Sequence, residues 1–530
     1  MLPAPSDRRW FWLAAPALVA PGLLWACLDY RPWPWDQAQY AEYTLRTLAA
    51  FKEGPIAGFA AMGVLMGVKP PGLTWLGVPF AQLAELFGRP EPALLLATLV
   101  FQAGTLAACC WSAYRISGSA LTALAATAFI GSTPLFIALN QHYLVEPLQT
   151  FAVALSFLLA LYARDMSRLA LVLALCGVVA LALAAKATSP FYCTLPLLIA
   201  ASALVAPQSI APARWLRFLR VPLVLLTLLA LALVTNWYVT NFSSMLENAQ
   251  QSTMGSLAHT FGSAASFPTK LAFWATAFAA ALFFPSALVP AAAVAGALIA
   301  WRRQPAAGPG DGAITVAAAA VVIAAGLVAY SLQMNEGVRF LEPFLPASAI
   351  VLAWLCTRRS LAAASGALLA SAVAQFLLVY GYAFGLSPKA FEDPFLQALE
   401  RDATQRSRLQ RVVEFTCDPA RPFDPNLVGV QYPWLNPASA NFYAVAAHGG
   451  RPVCRYISLE QPTDDPAVTL KKLDQLVHRY YITVLPEKMP PPDFVNRASP
   501  AAFARVAHSQ DWERVRTIDD TVVIFRSKRY

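Results

Sequence analysis

Five ionisable residues stand where a charge is costly: Asp36 in "RPWPWDQAQYAEY", Lys69 in "GVKPPGLTW", Glu146 in "NQHYLVEPLQTF", Lys186 in "ALAAKATSP" and Arg339 in "NEGVRFLEPFLPA". Glu146 opens a long apolar run and Lys186 ends one, where an ionisable group is kept for a local partner or for chemistry; Asp36, Lys69 and Arg339 lie in segments between such runs. Asp36 can be a helix N-cap, with Gln39 completing a capping box. It can also be a general base, since a cap leaves carboxylate lone pairs free. Lys69 can snorkel to headgroups. Held by the stiff Pro70–Pro71 turn, it is equally a fixed cation for a lipid phosphate. Glu146 can pair with His142 one turn earlier, and Lys186 can snorkel. Arg339 has Glu336 and Glu342 nearby, or a phosphate that accepts two parallel hydrogen bonds.

These residues share a membrane face once the apolar runs are laid out. The chain has 530 residues, 58% hydrophobic and 13% charged, against about 25% charged for a soluble domain. The mean hydropathy is +0.51. Runs long enough to cross a bilayer lie near 10–28, 93–114, 119–139, 143–163, 168–186, 190–206, 220–238, 271–300, 313–331, 343–357 and 361–384. That makes about eleven spans. The first run lacks a small-residue cleavage site and reads as a retained span. With a cytoplasmic N-terminus, Arg8, Arg9, Arg115, Arg164, Arg168, Arg214, Arg217, Arg220, Arg302, Arg303, Arg358 and Arg359 all fall on the cytoplasmic side, the positive-inside pattern. The net charge of +9 then reflects orientation and contact with anionic membrane lipid. No basic helix or aromatic-basic groove points to nucleic acid.

The opposite face receives the 29–92 loop, 239–270, 332–342 and the tail from 385. In the first loop, "WDQAQYAEYTLRTLAAF" and "GLTWLGVPFAQLAELFG" read as interfacial helices. In the former, Leu45, Leu48 and Phe51 are expected to face lipid, and Glu42 with Arg46 to face water. Asp36, Lys69, Glu146, Lys186 and Arg339 project to this same face, around a cavity that Tyr40 and His142 can help line. Carboxylates and cations at headgroup depth suit attack by a hydroxyl or amine on a lipid-linked phosphosugar: a carboxylate takes the acceptor proton and cations hold the departing phosphate.

The chain divides into a membrane body, 1–384, and a water-soluble region, 385–530, whose charges nearly balance. In the tail a helix is predicted over 394–415, strands in "LVGVQY", "VCRYISL", "YYITVLP" and "TVVIFR", and a helix in "AVTLKKLDQLVHRY" with Leu470, Leu473, Leu476 and Val477 on one face. The alternation suggests a small α/β domain. Cys417 and Cys454 lie here and are candidates for a disulfide in an oxidising compartment. The other six cysteines read as buried small hydrophobes, and no Cys/His cluster has metal-site spacing.

Four stretches together resemble the GT-C class of polytopic glycosyltransferases that use polyprenyl-phosphate sugars, the protein mannosyltransferase and lipid A aminoarabinose transferase group. They are "WDQAQYAEYTLRTL" after the first span, "KPPGLTWLGVPFAQLAELFG", "YLVEPLQTF" and "RFLEPFLP". Their order covers most of residues 1–350. The Ala/Arg/Pro-rich composition suggests a bacterial inner membrane, and the resemblance implies an inverting transferase acting outside the cytoplasm. Its donor would be a polyprenyl-phosphate (undecaprenyl-type) sugar, and its acceptor a lipid, glycan or protein. Asp36 matches the catalytic acid, Glu146 a second acid, Lys69 the lysine on the carrier phosphate and Arg339 a basic residue near it. Gln37 and Gln39 replace an acid or base found in many relatives, so no cofactor is assigned and a divalent metal is left open. A transporter or flippase of a lipid-linked sugar, and an inactive scaffold, are the alternatives. Transporters often carry inverted repeats and broken spans near mid-membrane, whereas here the polar groups gather at one face and no repeat is found.

Overall fold

The computed structural model describes residues 5–205, 216–282, 312–356, 361–388, 395–422, 424–461, 464–475, 478–490 and 495–529. Seven of its helices are long and apolar enough to cross a membrane, and this is an integral membrane protein. An eighth span arises if Ala120–Gly131 and Pro134–Asn140, bent by 63°, form one crossing. The bend falls at Pro134, which has no N–H to continue the ladder. There Thr133 caps the second piece by accepting the Phe136 N–H. Leu13–Leu28 and Ser189–Ser202 are apolar but shorter. The run near 271–300 is described only to Leu282. Its remainder, like Arg214, Arg302, Arg303, Arg358 and Arg359, lies outside the described residues.

The first loop is organised by helix α1, Trp35–Glu53. The expected capping box does not form. Pro34 occupies the cap position with extended backbone and no side-chain bond, so Asp36 lies inside the first turn and its carboxylate points elsewhere. The expected lipid face is also corrected. Leu45 and Leu48 are buried in the core shared with the C-terminal region, because that region lies on the helix. Gly450, at φ +92°, comes so near that an added Cβ would stand 2.5 Å from the Leu45 carbonyl oxygen. Only glycine fits both that backbone and that gap. Glu42 is buried rather than water-facing and accepts from Arg46 at 3.0 Å.

The C-terminal sheet has the order β2-β1-β3-β5-β4, with β1 Pro425–Val428, β2 Arg455–Ser458, β3 Tyr480–Val484, β4 Trp512–Ile518 and β5 Val522–Ser527. β2, β1 and β3 are parallel, while β5 runs antiparallel to both β3 and β4. The helix expected over 394–415 is Thr404–Thr416. Residues 396–403 instead form a strap without regular structure. Leu473 is buried as expected; Leu476 and Val477 lie outside the described residues. Cys417, just past that helix, is disulfide-bonded to Cys454, just before β2, with 5.4 Å between Cα atoms.

The strap joins this region to the membrane body through backbone. Gln141 and Gln397 exchange two bonds, 2.9 and 2.8 Å. The Tyr30 N–H reaches the Glu400 carbonyl at 2.8 Å, and the Glu400 N–H reaches Asp29 at 2.9 Å. Beside it, Trp33 stacks between Tyr143 and Phe442, at 5.8 and 5.7 Å, while Ser439 donates to the Trp33 carbonyl at 2.6 Å.

Candidate active site

Asp36 is aimed by an unusual backbone. Trp35 has φ +35°, the left-handed region that a bulky L-residue adopts only under constraint. Pro34 and the stacked Trp33 directly precede it. The carboxylate that follows meets two cations. Lys69 Nζ donates to Oδ1 at 2.6 Å and Arg339 Nη2 to Oδ2 at 3.1 Å. Lys69 also donates to Gln39 at 3.4 Å, so Gln39 holds the lysine rather than a helix end.

The chain of charges continues inward. Arg339 Nε stands 3.4 Å from Glu146 Oε1, and Lys186 Nζ donates to the same oxygen at 3.0 Å. Thus Lys69, Asp36, Arg339, Glu146 and Lys186 form one alternating row. Three cations and two carboxylates leave a net positive charge. The row is graded in exposure: the Asp36 side chain is 35% accessible and that of Glu146 only 2%. Aromatic faces complete it. Lys69 lies 5.6 Å from the Tyr40 ring centre, Lys186 4.3 Å and Arg339 5.6 Å from that of Phe340, within cation–π range.

Burial by itself would raise the Asp36 pKa, but Lys69 and Arg339 outweigh it and hold the carboxyl well below the usual range. Burial also raises the Tyr40 phenol well above its ordinary value, helped by the Asp36 and Glu146 carboxylates. His142 is pushed down to about 4, chiefly by burial.

His142 is not the partner of Glu146. Its Nδ1 faces Gln37 Oε1 at 3.2 Å and its Nε2 the Phe395 carbonyl at 2.9 Å, so it links the site loop to the strap. Nor does Arg339 take its sequence neighbours. Glu336 is met by Ser263 at 2.7 Å and Lys270 at 3.7 Å, and Glu342 by Gln102 at 3.4 Å. Lys270 escaped the sequence reading. It is 4% exposed and donates to the carbonyls of Gln333 and Met334, pinning the loop that leads to Arg339. Tyr330 was missed too: its hydroxyl donates to the Phe340 carbonyl at 3.0 Å. The signal for Lys270 was a lone Lys opening the apolar run "FPTKLAF"; Tyr330 gave none within its span.

Among the described residues no group of three His, Cys, Asp or Glu side chains gathers to hold a metal. Both Asp36 oxygens already face cations, which does not fit a divalent ion as the chain stands.

The whole architecture resembles solved structures. ArnT from Cupriavidus metallidurans in the apo state superposes with TM-score 0.56 at 13% identity, over 98% of both chains. The same protein bound to undecaprenyl phosphate gives 0.53 at 15%, over 97% of both. Arabinofuranosyltransferase AftD from Mycobacteria gives 0.56 at 14%, over 98% of this chain and 40% of that one. The chain has the GT-C glycosyltransferase fold. No protein-family model and no curated protein matches the sequence, so at these identities the likeness is one of fold. Within this GT-C fold the charged row draws on the first loop, the Lys-Pro-Pro turn, the start of one span, the end of the next and the turn before another.

Proposed function

We propose that this protein is an inverting glycosyltransferase. It would move a sugar from a polyprenyl-phosphate carrier to a hydroxyl or amine of a lipid, glycan or protein acceptor at the outer face of the membrane. The observation that carries the reading is the row itself: a solvent-reachable carboxylate between two cations, with a net positive charge at the edge of a membrane body. The single negative charge of a phosphodiester donor balances it. The fold shared with ArnT, a protein solved with undecaprenyl phosphate, supports the class of donor.

In the reaction the acceptor oxygen or nitrogen attacks the anomeric carbon from the side opposite the phosphate. The C–O bond to phosphate breaks with its electron pair, and the acceptor proton passes to Asp36. General-base help of this kind is worth about 10²–10⁴ in rate. The leaving phosphate gains a second negative charge, which Lys69 and Arg339 stabilise where it develops. Glu146, nearly sealed from water, acts as a positioning residue through Arg339 and Lys186. Tyr40 walls the cavity as a neutral phenol. The soluble region, fastened to the loop before Asp36, stands on the acceptor side.

The test is to incubate purified protein with labelled polyprenyl-phosphate sugars and candidate acceptors. Label appearing on an acceptor with inverted configuration supports the reading. Passage of intact donor across a vesicle without transfer would replace it with a flippase.

A further inference from the structure

Asp36 has two oxygens, and each is held by a different cation. These are the cations that the transferase reading assigns to the donor phosphate. A carboxylate saturated in this way is a weak base, because neighbouring cations favour its charged form. The same side chains cannot fully serve Asp36 and a phosphate at once. The arrangement makes exchange feasible. Lys69 is a flexible stem with three donors, and the Lys69, Asp36 and Arg339 side chains are all accessible, at 24%, 35% and 25%. Arg339 stays anchored to Glu146 through Nε, so its Nη2 can leave Asp36 while the guanidinium remains in place.

We propose that the donor phosphate and Asp36 compete for Lys69 and Arg339, so that donor binding unmasks the base and acceptor chemistry follows only once the donor is seated. This rests on the transferase reading and adds an order to it. The groups facing Asp36 are Lys69, Arg339 and the Tyr40 ring, with Glu146 beyond Arg339. With the cations on phosphate, the carboxylate is free to take the acceptor proton. After transfer the polyprenyl phosphate departs, the cations return to Asp36, and their return expels the proton to water. The cycle therefore resets itself, and without donor no competent base faces the solvent.

The experiment measures binding of polyprenyl phosphate, with no sugar attached, to the full-length protein in detergent. Removing the competitor in Asp36→Asn should tighten binding by roughly tenfold. Lys69→Ala should weaken binding more in the Asp36→Asn background than in wild type, because in wild type the lysine must first be taken from Asp36. Equal affinity of wild type and Asp36→Asn overturns the proposal, and so does a Lys69→Ala penalty identical in both backgrounds. If wild type transfers sugar while either result is found, the transferase reading stands and the competition falls. If polyprenyl phosphate binds neither protein, both fall. Wild type alone gives a second test that needs no variant. At saturating donor, kcat should show an acid limb in the ordinary carboxylate range, near pH ~4; a rate flat down to pH ~3 means that the base stays masked.

Discussion

Two charge clusters differ in balance and exposure. The first is the row from Lys69 to Lys186. The second joins the membrane body to the C-terminal region: Glu91 accepts from Arg406 at 3.0 and 3.2 Å and from the Tyr443 hydroxyl at 2.8 Å, with the guanidinium 5.5 Å from the Tyr443 ring centre. In the second, one acid meets one base, and all three residues are buried. Its charges balance, although the buried Arg406 Nη1 lacks a hydrogen-bond partner among the described residues, and the cluster acts as a fastener. The first is unbalanced toward positive charge and open at the Asp36 end. It also leaves one Glu146 oxygen, Oε2, without a hydrogen-bond partner among the described residues. Burying charge is expensive in either place. A neutral, closed cluster recovers that cost through the fold, whereas an unbalanced one recovers it when an anion arrives.

Asp36→Asn should cut transfer by about 10²–10⁴ with the melting temperature little changed, read by labelled-donor turnover and thermal unfolding side by side. Glu91→Ala should do the reverse. It strands Arg406 in a buried place and costs about 3–5 kcal/mol, lowering the melting temperature while the donor dependence of surviving protein stays normal. Reducing the disulfide between Cys417 and Cys454, 37 residues apart in sequence, should destabilise the C-terminal region by about 2–4 kcal/mol, seen as faster proteolysis there.

The smallest effect concerns acid. His478 is 1% exposed, and burial pushes it down to about 4 from 6.5. The folded form holds the imidazole neutral while the unfolded chain takes up a proton. Its contribution is therefore complete above pH ~6.5 and is lost as pH falls toward ~4. His478→Leu should flatten that part of the melting profile, and a profile as steep as wild type would show that other groups govern it.

Much of the site was legible because charge inside apolar runs is conspicuous. Asp36, Lys69, Glu146, Lys186 and Arg339 each stood out singly, and they meet in one row. Their partners were not legible, since pairs such as Asp36 with Arg339 are separated by 303 positions. Local rules instead favoured a cap for Asp36 and a near neighbour for Arg339. The burial of Leu45 and Leu48 was hidden for the same reason. An amphipathic face states that something covers it, lipid or protein, and the covering region begins more than 300 residues later. β4, "WERVRTI", went unseen because its charges mask the alternation, with only Ile518 buried. The strap, by contrast, carries apolar residues in a helix-like pattern. Its backbone groups spend their hydrogen bonds on the membrane body instead.

The central claim is that the open, positive cluster is the donor-phosphate site and the closed one is not. The most direct measurement is the affinity for polyprenyl phosphate of two variants that each lose one cation: Lys69→Ala in the first cluster and Arg406→Ala in the second, compared at matched folded fraction. The account predicts that Lys69→Ala weakens binding by roughly tenfold or more, while Arg406→Ala leaves the affinity at the wild-type value. Equal weakening in both, or wild-type affinity in Lys69→Ala, would contradict it.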